Sequence, residues 1–265
     1  MANSVIRPCI WCLKSGRSSV EHIVPEVLGC PPGFVLKRGE VCKACNSNLL
    51  SPLDAALGES FDMLRVLNRV PGKRKKSPKV TGRTNLRGFA SQKGHVVLQL
   101  NMEHRSVVDD IFGAIPPADG SYRDVHGTFM REGQFCRSSI TTTIGGHPDF
   151  SRALHKIALE WFVKLTSWEN VLDENFNAVR DYVLLDVGCR EVLMFAPENW
   201  SYRHEFPSLF WNGSDGSPLV NFVLCGFPFV VSLGTDQGSI EALKREALHS
   251  IGTRGWTSLP VNSNK

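Results

Sequence analysis

Apolar residues along the chain follow two periods. Over 151–168 they recur at Leu154, Ile157, Ala158, Trp161, Leu165 and Trp168, the spacing that lays one stripe along an α-helix. Asp149 and Ser151 stand where an N-cap belongs. A weaker helical pattern covers 49–67 through Leu53, Leu57, Met63, Leu64 and Leu67, with Gly58 weakening its middle. Shorter helices are expected at 174–182 and 240–248. Strand patterns rich in β-branched residues mark 94–101, 125–131, 138–144 and 191–195. A further strand pattern, 219–233, is expected to break at Gly226 and Pro228. Near the N-terminus, 20–24 and 34–41 read as two strands around the turn Cys30-Pro31-Pro32-Gly33, which fits neither a helix nor a central strand. The last fifteen residues read as a frayed tail. There is no internal repeat, and the order of elements predicts an α+β chain.

Composition narrows the classes. A chain of 265 residues with 42% hydrophobic content is ordinary for a soluble globular protein. No apolar run approaches the ~20 residues that span a bilayer, so no membrane partner is expected. MANSVIRPC lacks the charged and apolar regions of a secretory signal. Of eight cysteines, Cys30, Cys136, Cys189 and Cys225 are scattered singly, which suits a reducing, cytoplasmic setting. Charge is uneven. Residues 71–88, PGKRKKSPKVTGRTNLRG, hold seven basic groups and no acid, whereas 89–265 holds 15 basic and 20 acidic groups. The basic run, with Lys73, Arg74, Lys75, Lys76 and Lys79 at its centre, reads as a linker and also as an arm that contacts phosphates.

The other four cysteines form two Cys-x-x-Cys pairs, CIWC at 9–12 and CKACN at 42–46. Each pair turns tightly enough to present both thiolates to one ion, and two pairs complete a four-sulfur zinc shell. The 29 residues between them exceed what a plain zinc ribbon needs. They carry EHIVP at 21–25, a Glu-His pair, and Asn46 follows the last cysteine directly. Cys30 lies inside the clip and is expected to be a plain thiol. The remaining histidines lack ligand spacing, and Trp161, Phe162 and Trp168 read as core.

Cys-x-x-Cys, Glu-His-x-x-Pro and Cys-x-x-Cys-Asn, in that order, resemble the HNH endonucleases, in the zinc-clipped branch of the ββα-metal nucleases. The resemblance covers about residues 5–60. It implies a zinc held by Cys9, Cys12, Cys42 and Cys45, with His22 as general base. It also implies a catalytic Mg²⁺ or Mn²⁺ held by Glu21 and Asn46. The middle Asn of the family's pattern is replaced by Lys37. Asp54 is a further carboxylate near the site, as ligand or as cap. An imidazole can take a proton from water, and a hard ion held by few protein oxygens keeps positions free for phosphate.

The expected organisation is therefore a zinc-stabilised ββα-metal module at 1–70, a basic linker at 71–88, a mixed α+β accessory domain at 89–250 and a tail at 251–265. The expected function is a metal-dependent DNA endonuclease of the kind used in bacterial defence or restriction. Its later part would control recognition or assembly, through a protein partner or a second copy. The alternative is a non-catalytic, zinc-dependent nucleic-acid-binding protein.

Overall fold

Between Arg7 and Cys42 the chain forms bridges rather than ladders. Residues 7–72, 79–81, 86–90, 96–100, 125–132, 135–142, 144–197, 199–208, 211–213, 216–235, 237–251 and 256–259 are described by the computed structural model, with 79–142 described by the main chain alone. In place of the two expected strands stand single antiparallel bridges, Ser18 to Cys42 and His22 to Val35. Ile23 N–H donates to Phe34 O at 3.0 Å, and Leu36 N–H to Glu21 O at 2.9 Å. The second strand fails because Glu40 curls the chain. Its Oε2 accepts from Lys37 N–H at 2.6 Å, and its own N–H donates to Lys37 O at 3.1 Å.

The helical region starts at the second cysteine pair with a widened π turn, Cys45–Leu50. It continues as α1 (Ser51–Ser60) and α2 (Asp62–Leu67). The expected weakness at Gly58 does not break it; the break falls at Phe61, whose side chain is fully buried. Gly58 is there for packing. A Cβ on it would meet Val27 Cγ1 at 2.9 Å, so only glycine lets the short turn Glu26–Leu28 lie against α1.

In the basic stretch, Lys73, Arg74, Lys75 and Lys76 lie outside the described residues, and Lys79 opens β1 (Lys79–Thr81). This strand joins β2 (Leu86–Ala90) and β3 (Val96–Leu100) in an antiparallel sheet, and β4 (Val125–Glu132) pairs with β5 (Phe135–Thr142).

The strongest periodicity becomes α3 (Phe150–Leu165), which stops short of Trp168. Neither expected cap forms. The Asp149 side chain pairs with Arg152 Nη1 at 2.6 Å, and Ser151 Oγ donates to Arg190 O at 3.0 Å. After α4 (Asn177–Leu185) comes a five-stranded antiparallel sheet of β6 (Val192–Phe195), β7 (Trp211–Asn212), β8 (Pro218–Leu224), β9 (Phe227–Ser232) and β10 (Trp256–Leu259), in the order β10-β6-β9-β8-β7. Helix α5 (Gly238–Ile251) precedes β10. The chain is thus α+β, with a four-cysteine cluster near its N-terminus.

Two expectations fail in this sheet. The turn does fall at Cys225-Gly226, both with positive φ, but Pro228 sits inside β9 opposite Val223. Both main-chain groups of Val223 are already bonded to Glu205, at 2.7 and 3.0 Å. The position facing Pro228 therefore needs no donor, and proline leaves the ladder intact. The tail is not frayed throughout: Trp256–Leu259 pairs with β6 as an edge strand, and Leu259 is buried.

The basic stretch does not divide the core. One buried cluster runs from Cys9, Ile10 and Trp11 through Leu53 and Phe61 to Ile157, Val220 and Phe229. The N-terminal segment also has its carbonyls bonded from far along the chain: Ile10 O by Arg180 Nε (2.9 Å), Leu28 O by Tyr202 Oη (2.9 Å) and Val35 O by Lys164 Nζ (3.1 Å). Helix α3 is enclosed almost all round, and even Lys156 and Glu160 are fully buried. None of the described helices is long and apolar enough to cross a membrane.

Candidate metal centre and the cleft beside it

The two Cys-x-x-Cys turns meet as their spacing requires. The sulfurs of Cys9, Cys12, Cys42 and Cys45 lie within 4.8 Å of one another. Sulfurs about 2.3 Å from a central tetrahedral ion stand about 3.8 Å apart, and Cys12 Sγ and Cys42 Sγ are 3.8 Å apart. Main-chain N–H groups of Cys42 and Cys45 donate to Cys9 Sγ and Cys42 Sγ, each at 3.4 Å, which favours thiolates. The hydrogen bond shared with Cys45 draws Cys9 down to about 5 and pushes Cys45 up. Burial raises Cys12. Four cysteine sulfurs this close could hold a cation, and the donor set suits a structural metal such as zinc. Cys30 stands apart. Its thiol donates to Pro31 O and Phe34 O, and burial raises it to about 11.

Next to this cluster opens a cleft of about 760 Å³ whose lining includes Glu21, His22, Asn46 and Asp54. The chain brings them together by local means. The bridge to Val35 fixes His22, and the turn after Cys45 presents Asn46, whose N–H bonds Cys42 O at 3.0 Å. Asp54 follows on the first turn of α1. Asn46 Nδ2 donates to Val20 O at 2.8 Å, so the amide oxygen remains an available acceptor or ligand. His22 is about a third exposed, with Nε2 3.6 Å from Glu26 Oε1. Where the family pattern has its middle Asn, Lys37 contributes only main-chain bonds, and Glu40 fastens the loop.

Behind these residues lies a buried charged cluster that sequence reading missed. Lys156 Nζ touches Glu21 Oε1 at 2.6 Å, Asp54 Oδ1 at 2.8 Å and Glu160 Oε2 at 3.5 Å. It also donates to His22 O at 3.1 Å. Glu160 Oε1 accepts from Trp11 Nε1 at 3.1 Å, and Trp11 stands between Cys9 and Cys12 of the four-cysteine cluster. Burial alone would lower Lys156, but the carboxylates of Asp54, Glu160 and Glu21 hold it well above its usual value. Burial raises Glu160 strongly and Glu21 as well, against the pull of Lys156. We assign the charge to Lys156 and a proton to Glu160, because one ammonium cannot offset three carboxylates, and Glu160 is the most enclosed of them.

Glu21 therefore sits differently from expectation. It is 2% exposed, and one oxygen is bound to Lys156, whereas the Asp54 side chain is 29% exposed. Arg65 also lines the cleft and was not singled out in the sequence, where it reads as a surface residue of an amphipathic helix. No family model, curated protein or solved structure matches the chain.

Proposed function

We propose that the chain is a metal-dependent nuclease of the HNH type that hydrolyses DNA phosphodiesters in the cleft beside the four-cysteine cluster. The observation that carries this reading is the convergence of His22, Asn46, Asp54 and Glu21 on one cleft. Zinc at Cys9, Cys12, Cys42 and Cys45 builds the site. His22 takes a proton from the attacking water. Asn46 and Asp54 would hold Mg²⁺ or Mn²⁺, which supplies positive charge at the phosphoryl oxygens. Glu21 and Lys156 position Asp54 and the His22 main chain from behind. The several carboxylates of the cleft suit a divalent cation, and DNA would approach it only with that charge neutralised.

One observation favours a second reading, a zinc-dependent nucleic-acid-binding protein without catalysis. Lys156 already gives Glu21 and Asp54 a cation. A single experiment separates the two. Plasmid is incubated with Mg²⁺ or Mn²⁺ and the full chain, beside His22→Ala and an EDTA control, with a gel shift in parallel. The nuclease reading expects cleavage that falls ~10²–10⁴-fold in His22→Ala. Equal cutting by both proteins, or binding with no cutting on any DNA form, defeats it.

A further inference from the structure

Along the helical wall of the cleft Ser51, Asp54, Gly58, Asp62 and Arg65 recur three or four residues apart, with Ala55 and Glu59 beside them. Arg65 ends the stripe. It is 6% exposed, its Nε is buried with no hydrogen-bond partner, and its side chain makes no hydrogen bond or ion pair among the described residues. A guanidinium carries five donors and is not deprotonated in proteins. Burying one without a partner costs stability unless a ligand completes it. The other buried arginines are hydrogen-bonded: Arg180 bonds Ile10 O and Asn177 Oδ1, and Arg190, whose Nε is likewise unbonded, bonds the carbonyls of Ser232 and Gly234 through Nη2.

We infer that Arg65 is an anion-binding residue of this cleft, held with its buried Nε unbonded so that its guanidinium takes the oxygens of a phosphate group. Burial lowers Arg65, and three ionisable groups act against that. Tyr202 and Cys225 are buried phenol and thiol groups whose own ionisation is pushed up by burial, and Asp62 is a carboxylate one turn back on the same wall. Planar guanidinium forks match phosphate oxygens in pairs.

The place on the wall fixes which phosphate. Eleven residues separate Asp54 from Arg65, a rise of about 16 Å along the helical path. An arginine leans back towards the start of its helix, so the guanidinium and Asp54 stand on the order of 10 Å apart. They cannot grip one phosphate together. Charges on one DNA strand follow one another every ~3.4 Å along the axis, so Arg65 takes a phosphate flanking the one presented to His22. This identification of the substrate group rests on the nuclease reading, whereas the anion site does not.

The test uses the full chain, wild type beside Arg65→Met and Arg65→Lys. Inorganic phosphate is titrated in the presence of Mg²⁺ and followed by thermal melting and ³¹P NMR line width, and KM and kcat are measured on a short DNA duplex. Phosphate should raise the melting temperature of the wild type and broaden its own signal. Arg65→Met should melt, without phosphate, at the same or a higher temperature, since it loses a buried guanidinium whose Nε is unbonded. It should show no phosphate response, and its KM should rise about tenfold or more with a much smaller change in kcat. Arg65→Lys should keep part of the response. A phosphate effect equal in wild type and Arg65→Met overturns the inference, as does a large loss of stability in Arg65→Met alone, which would make the guanidinium a structural group. A wild type that cuts DNA but shows no phosphate response also overturns it, and the nuclease reading survives. An Arg65-dependent phosphate response without any DNA cleavage keeps the anion site and removes the nuclease.

Discussion

The four-cysteine cluster and the Lys156 cluster crowd ionisable groups into the same hydrophobic core and balance them in opposite ways. The sulfurs come from two short turns and could take a cation from outside the chain. The carboxylates of Glu21, Asp54 and Glu160 come from three separate segments, and their cation is a side chain. Trp11 joins the two clusters, since its neighbours Cys9 and Cys12 belong to one and its indole N–H donates to Glu160 of the other. A free ion can be exchanged or stripped, whereas a lysine remains with its helix. The first cluster therefore makes folding conditional on the environment, and the second makes it conditional on the rest of the chain.

Removing the metal should have the largest effect. Structural zinc contributes ~10–16 kcal/mol in small domains, as much as the ~5–15 kcal/mol stability of a typical protein. Chelation, or Cys42→Ser, should melt α3 and the five-stranded sheet along with the N-terminal segment, because all share one buried cluster. Metal analysis should find one ion per chain, and far-UV circular dichroism should report the collapse. A protease-resistant fragment covering 144–259 in Cys42→Ser would show instead that the two clusters are energetically separate.

Lys156→Met should come next. It leaves Glu21 and Asp54 without their ammonium, and breaking a buried ion pair costs ~3–5 kcal/mol. Urea unfolding measures this directly. Adding Glu21→Gln and Glu160→Gln to Lys156→Met should restore most of the loss, since the only carboxylate then left in the cluster is Asp54, its most exposed member. A cost below about 1 kcal/mol for the single change would mean that the carboxylates balance themselves, as the cysteines cannot.

The smallest effect, within any one pH unit, is a pH dependence. Burial raises Glu160 well above 4.5, so the folded chain keeps this proton after the unfolded chain has released it. The contribution is complete below pH 4.5 and declines as pH rises towards the folded value. Glu160→Gln mimics the protonated form. It should match the wild type in acid and gain on it above that range, by up to about 1.4 kcal/mol per pH unit. A stability difference that does not change with pH would place the proton elsewhere in the cluster.

The two clusters were also unequally legible. Metal-binding cysteines must sit at short spacing whatever surrounds them, so the letters alone located them. Glu21, His22 and Asn46 were singled out by the resemblance of their motifs to a nuclease family, and all three line one cleft. Lys156 and Glu160 fell between the apolar positions of a helix, where a periodic pattern assigns charge to solvent. That assignment assumes a helix with one buried face, and α3 is covered on nearly every side. Arg65 was hidden by the same assumption. The boundary expected at the basic stretch followed composition, which carries no information about carbonyls bonded across it. Pro228 was misplaced because the pattern does not reveal that Val223 already bonds Glu205 on its other edge.

The span between Asp54 and Lys156 also sets a schedule. They are 102 residues apart, so at translation rates of ~5–20 residues per second the lysine is made on the order of 5–20 s after the carboxylate it holds. During that interval the cysteine turns, His22 and Asn46 have left the ribosome's active centre, yet the wall behind them does not exist. Leu28 waits longer still for Tyr202. The nascent chain can bring its cysteine turns together early and still lack a formed cleft, so whatever that cleft does begins only after Lys156 and the segments packed behind it have been made.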